Sequence, residues 1–174
     1  MNVVLDLDNT LIYSSSVNNL GKIEGRFFYT IYDDLVIIAR PNLFEFLEWL
    51  FSNFNVSVFT YADKDYALFI IEHFILRDKR GRKLNRKLDF IFYRYHVEMG
   101  RRLYNGRIKD LRLLWDAFDM FGFNSKNTVI IDDNEDVINS NPNNSIYIKP
   151  FNSYDERDTE LLQVKNILKN IQDV

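Results

Sequence analysis

Apolar positions along the chain follow two rhythms. Short unbroken apolar runs occur near residues 2–7, 56–60, 128–131 and 145–148. Runs of this kind predict strands buried on both faces, as in a parallel sheet. Helical spacing predicts four helices. One follows Arg40-Pro41-Asn42 and carries Leu43, Phe46, Leu47, Leu50 and Phe54. The others span residues 63–76, 110–121 and 155–171. Residues 27–32 and 35–39 flank Asp33-Asp34 and predict a hairpin. Residues 12–24 read as a polar loop, and residues 88–95 as strand-like. Strands alternating with helices predict an α/β domain with a mainly parallel sheet. No repeat, low-complexity tract or Pro/Gly-rich linker divides the chain, so residues 1–174 are expected to form one domain.

The predicted strands end in polar residues. The first runs into Asp6 and Asp8, two carboxylates that repel one another and are most simply reconciled by a divalent cation. Mg²⁺ suits carboxylates, water and a substrate phosphate, so the motif points to metal-assisted phosphoryl transfer with an aspartate nucleophile. The second strand ends at Thr60 and the third at Asp132 and Asp133, while Lys109 precedes the predicted third helix. Ligands of open α/β sheets bind outside the carboxyl ends of the strands. Taken singly, Thr60 reads as a helix cap, Asp132-Asp133 as a turn and Lys109 as a surface residue. Together they assemble a nucleophile, a phosphate binder, a cation and metal-binding acids at one edge.

Composition narrows the chemistry. The chain contains no cysteine, which excludes disulfides, thiolate zinc sites and cysteine nucleophiles. No apolar run is long enough to span a bilayer, and no signal-peptide pattern opens the sequence, so a cytoplasmic or nuclear location is expected. The net charge of −3 hides a segregation: residues 77–112 carry +9 and the remainder −12. The basic stretch is either a solvated loop or a wall that attracts a polyanion. Arg101, Arg102 and Arg107 are its candidates for steering substrate.

Asp6-Leu7-Asp8-Asn9-Thr10, Thr60, Lys109 and Asp132-Asp133 resemble, in order, the four motifs of haloacid dehalogenase-type hydrolases. Finer matches resemble the NIF-like, or FCP/SCP-type, phosphatases of the RNA polymerase II C-terminal domain. These are Leu11-Ile12-Tyr13-Ser14-Ser15, Arg40-Pro41 with Glu45-Phe46-Leu47, Phe59-Thr60 with Tyr66-Ala67, Ile108-Lys109-Asp110-Leu111, the run Ile130 to Val137, and Asn141-Pro142-Asn143-Asn144. The chain departs from that pattern at Asn9, at Tyr61-Ala62 and across residues 77–107, an insertion that matches poorly.

The resemblance implies a Rossmann-like core with small β insertions and a residue-by-residue mechanism. Asp6 would attack phosphorus and form an aspartyl-phosphate. Asp8 would protonate the leaving oxygen and then deprotonate water. Mg²⁺ would be held by Asp6, the Asp8 carbonyl and Asp133, with Asp132 in support and Asp136 a further candidate. Thr60 and Lys109 would neutralise the phosphoryl oxygens. Only short insertions separate the motifs, so no large cap domain is expected, and an open site suits a phosphate on a macromolecule. The expected substrate is a phosphoserine or phosphothreonine protein, such as the polymerase C-terminal domain. The rivals are a nucleic-acid 3'-end phosphatase and a catalytically silent phospho-binding module. No membrane partner is expected.

Overall fold

The apolar run at the start of the chain forms β1 (Asn2–Leu5), the middle strand of a five-stranded sheet in a computed structural model that describes residues 1–172. β5 (Asn55–Phe59) lies on one side of β1, with β6 (Ile91–Phe92) beyond it. On the other side lie β7 (Thr128–Asp132) and β8 (Ser145–Tyr147). Every pairing in this sheet is parallel. Buried parallel strands carry apolar residues on both faces. Val3 and Leu5 accordingly enter one core with Leu47, Val56 and Ile131. Val4 enters the other with Phe59, Ile130 and Leu114.

The hairpin is present as β3 (Tyr29–Tyr32) and β4 (Leu35–Ala39), turning through Asp33 in a left-handed conformation (φ 50°). Residues 12–24 are a different matter. Ile12–Ser16 form β2, antiparallel to β4, and Val17–Lys22 make a 3-10 turn. The serines of β2 look loop-like in sequence, but strand pairing overrides their low β-propensity. Ser15 exchanges a hydrogen bond with the Tyr154 hydroxyl at 2.8 Å.

Helix α1 (Leu43–Asn53) buries Leu43, Phe46, Leu47 and Leu50, the stripe its spacing predicts. α2 (Lys64–Ile70) continues into a wider π-helical turn, Ile71–Ile75. Three expectations fail beyond it. In the strand-like stretch only Ile91–Phe92 pairs, and α3 (Arg94–Leu103) follows within the basic segment. α3 buries only Val97 and Gly100, so it shows almost no apolar stripe in sequence. The helix expected over residues 110–121 is reduced to one π-helical turn, Leu113–Ala117. An unpredicted short helix, α4 (Glu135–Ser140), follows β7. α5 (Glu160–Gln172) starts later than its spacing suggests. Asp158, two residues before its start, is held by Arg40. None of the described helices is long and apolar enough to cross a membrane.

Candidate active site

Strand register places the acids. Leu5 pairs with Val58 on one side and Ile131 on the other. One step on, Asp6 stands beside Asp132, and the Asp6 amide donates to the Ile131 carbonyl at 3.1 Å. Alternation puts both side chains on the face of Val4 and Ile130. That face packs against Leu111, Leu113 and Leu114, so the segment that begins with Lys109 is brought to the same place. The Lys109 ammonium donates to Asp6 Oδ1 at 2.6 Å and to Asp132 Oδ2 at 2.7 Å. All three side chains are buried.

A helix N-terminus was expected to present Lys109. Instead its backbone is left-handed (φ 50°), a conformation that costs a β-carbon-bearing residue about 1–3 kcal/mol. Asn141 holds it there. Its amide donates to the Lys109 carbonyl at 3.0 Å, and its oxygen accepts from the Leu111 N–H at 2.9 Å.

The loop after β1 is fixed from beneath. Asn9 is left-handed (φ 61°), a conformation asparagine tolerates. Its carbonyl accepts from the Phe151 N–H at 2.7 Å. The fully buried Arg40 spends its N–H groups on the carbonyls of Asn9, Thr10 and Lys149 and on both oxygens of Asp158. The Thr10 hydroxyl lies 3.0 Å from Asp6 Oδ2 and 3.3 Å from Asp133 Oδ1. Asp8 Oδ1 accepts from the Tyr66 hydroxyl at 2.9 Å. Arg40, Tyr66 and Asn141 stand in the family-like motifs, but the sequence assigned them no role.

These residues border a pocket of about 330 Å³, lined by Asp6, Asp8, Thr60, Lys109, Asp132 and Asp133. A larger groove, of about 650 Å³, shares no residue with it. Burial and the neighbouring Asp6 raise the Asp8 pKa to about 6. The same two causes raise Asp132 and Asp133. Burial pulls Lys109 down, but attraction to Asp6 and Asp132 outweighs it, and the ammonium is held above its ordinary range.

The donor set fits a divalent cation. Oxygens of Asp6, Asp132 and Asp133 lie within 4.8 Å of one another. Four carboxylates face one ammonium, which leaves a surplus of negative charge. Asp132 has both oxygens engaged, by Lys109 and by the Asn134 N–H. Among the described residues Asp133 accepts only from the Thr10 hydroxyl, whose one proton it shares with Asp6. Hard oxygen donors in this number suit Mg²⁺. The Thr60 hydroxyl oxygen accepts from the Ala62 N–H at 3.1 Å, which leaves its own proton to donate.

Four predicted residues lie outside this cluster. Asp136 is exposed in the first turn of α4, where its N–H donates to Asn134. Arg101 and Arg102 sit in the last turn of α3. Arg107 contacts the Ser140 carbonyl and Asp110. None of the three arginines lines the pocket.

The model of the NLI interacting factor-like phosphatases matches residues 1–174. CTD phosphatase-like protein 355R of Invertebrate iridescent virus 6 is 38% identical over 96% of each chain. Its counterpart from Invertebrate iridescent virus 3 is 35% identical over 98% of this chain and 96% of its own. Among solved structures, Fcp1, an essential RNA polymerase II CTD phosphatase, superposes with a TM-score of 0.59 at 21% identity. Fission yeast Fcp1-R271A bound to beryllium fluoride gives 0.57 at 19%. This chain is covered to 99% in both superpositions and spans about half of each Fcp1 chain. At that identity the likeness carries the fold, a parallel sheet with Asp6 and Asp8 at its carboxyl edge. Whole-length agreement in sequence carries the rest: the chain belongs to the NLI interacting factor-like phosphatase family.

Proposed function

We propose that the chain is a Mg²⁺-dependent phosphoserine/phosphothreonine protein phosphatase working through an aspartyl-phosphate on Asp6. The observation that carries this reading is the donor count around Lys109. An ammonium has three N–H groups, and Asp6 and Asp132 take two. The third, with the free Thr60 proton, is available to a phosphoryl oxygen.

A carboxylate oxygen of Asp6, oriented by Lys109 and Thr10, attacks phosphorus. The ester P–O bond breaks as Asp8 gives its proton to the departing oxygen, releasing the alcohol. Asp8, now ionised, takes a proton from water as that water attacks the aspartyl-phosphate. The Asp6–phosphorus bond breaks and inorganic phosphate leaves. Lys109 and Thr60 stabilise charge on the phosphoryl oxygens throughout. Mg²⁺ held by Asp6, Asp133 and the Asp8 carbonyl would supply further positive charge against those oxygens.

Two observations favour a macromolecular substrate. The pocket, of about 330 Å³, is small, and residues 77–112 carry a charge of +9. The viral relatives named CTD phosphatase-like, and the Fcp1 fold, point the same way.

The test compares a phosphoserine peptide, a 3'-phosphorylated oligonucleotide and p-nitrophenyl phosphate, each with Mg²⁺ and with EDTA. The expected result is peptide turnover that is lost in EDTA and in Asp6→Asn. Preference for the oligonucleotide would move the reading to nucleic-acid ends. No turnover of any substrate would make the chain a binding module.

A further inference from the structure

The small antiparallel sheet approaches Asp8 by two routes, through a side chain of α2 and through β2 itself. Tyr66 projects from α2, and its hydroxyl donates to Asp8 Oδ1 at 2.9 Å. Its ring is fixed from the opposite side. Tyr32 at the end of β3 meets it edge to face, with centroids 5.4 Å apart, and also packs on Phe69 at 4.7 Å. Ser14 of β2 stands beside the phenol. Asp8 itself is bridged to Ile12, the first residue of β2. Asp8 Oδ2 has no hydrogen-bond partner among the described residues, whereas Oδ1 has Tyr66.

We propose that Tyr66 is a positioning residue for proton transfer: its hydroxyl occupies Asp8 Oδ1, so that Oδ2 carries the proton the leaving group receives. This rests on the phosphatase reading above. A carboxyl group left free to rotate would present either oxygen, in either orientation. With Oδ1 taken by a donor, the acid proton resides on Oδ2. The P–O ester bond breaks, its electron pair goes to the departing oxygen, and the Oδ2 proton joins that oxygen to complete the alcohol. Tyr32 and the β3–β4 hairpin thereby act on the chemistry without touching the phosphate.

The experiment uses the full chain with Mg²⁺ and a series of aryl phosphates of similar size, from p-nitrophenyl to p-methoxyphenyl phosphate. The readout is kcat/KM, which covers the steps up to release of the first product. p-Nitrophenolate departs readily without a proton, whereas p-methoxyphenolate needs one. Tyr66→Phe keeps the ring against Tyr32 and removes only the hydroxyl. Its expected loss is about tenfold greater on the poor leaving group than on the good one, a fraction of the 10²–10⁴ that positioned proton transfer supplies. Tyr32→Leu keeps the hydroxyl but loosens its ring, and should steepen the same dependence to a smaller extent.

Equal losses across the series in both variants, or no loss, would overturn the proposal. Wild-type protein inactive on the whole series would instead overturn the phosphatase reading, so the two failures are distinguishable.

Discussion

The ammonium of Lys109 lies 2.6 Å from an oxygen of Asp6, and both side chains are buried. It is the one cation within hydrogen-bond reach of Asp6 and Asp132 among the described residues. Lys109→Met would leave two buried carboxylates facing each other. Breaking a buried pair in this way costs about 3–5 kcal/mol. We expect metal-free Lys109→Met to melt well below wild type at pH 7.5. The gap should narrow at pH 5, because burial raises the Asp132 pKa and a proton then replaces the ammonium. Calorimetry at the two pH values measures this, and equal melting temperatures at pH 7.5 would contradict it.

Asp8 makes the metal-free protein sensitive to pH. Its folded-state pKa, about 6, lies above the ordinary 3.8. A raised carboxyl contributes stability that is fully present below about pH 4 and is lost as pH rises through about 6. Asp8→Asn removes that loss. In chelator, the variant should exceed wild type above pH 6 by up to about 3 kcal/mol, as 1.36 kcal/mol per pKa unit gives. Urea denaturation between pH 4 and 8 tests the sign: a variant less stable than wild type at pH 7.5 would reverse it.

Asp133 and Asp132 should respond differently to Mg²⁺. Asp132 is committed to Lys109 and the Asn134 N–H, whereas among the described residues Asp133 accepts only from Thr10. A saturating ligand stabilises by about 2.7 kcal/mol at a hundred times its Kd. Thermal shift titrations should show wild type and Asp132→Asn both gaining with Mg²⁺, and Asp133→Asn gaining far less. Calcium should stabilise yet fail to support turnover, because its longer bonds and higher coordination misplace the phosphoryl group. Equal Mg²⁺ responses from the two variants would remove the distinction between these aspartates.

The three arginines divide by their contacts. Arg107 is tied to Ser140 and Asp110, and Arg101 to Glu98, while Arg102 has no ion pair among the described residues. Neutralising Arg102 alone should raise KM for a multiply phosphorylated peptide and barely alter p-nitrophenyl phosphate. The effect should fade with salt, as the Debye length falls from about 10 Å at 0.1 M to about 3 Å at 1 M. Arg107→Gln should also lower the melting temperature. Peptide kinetics at both salt concentrations check the first claim, and an undiminished effect at 1 M would argue against steering.

The strand ends were legible because buried parallel strands announce themselves. An unbroken apolar run that stops at Asp6, Thr60 or Asp132 marks both the strand and its carboxyl end. The hairpin around Asp33-Asp34 was readable for the same local reason. What failed was whatever depends on distant partners. β2 is a strand because β4 pairs with it, despite Ser14, Ser15 and Ser16. α3 hides because only Val97 and Gly100 are buried. The spacing of Leu111, Leu114, Trp115 and Phe118 was real, but it serves a single wide turn. Lys109 stands out in the sequence, whereas the left-handed turn that brings it to Asp6 and Asp132 depends on Asn141, more than thirty residues away.

The Arg40 clamp also bears on when the protein becomes active during its own synthesis. The Asn9-Thr10 loop is made well before residues 149–158, yet Arg40 grips its carbonyls together with the Lys149 carbonyl and the Asp158 carboxylate. β1 must likewise wait for β7, which follows it far along the chain. A nascent chain stalled before residue 158 therefore holds Asp6, Asp8, Thr60, Lys109, Asp132 and Asp133 but lacks the brace that shapes the loop. On the proposed reading, the site is complete only once residues 149–158 have folded back onto the loop that follows β1.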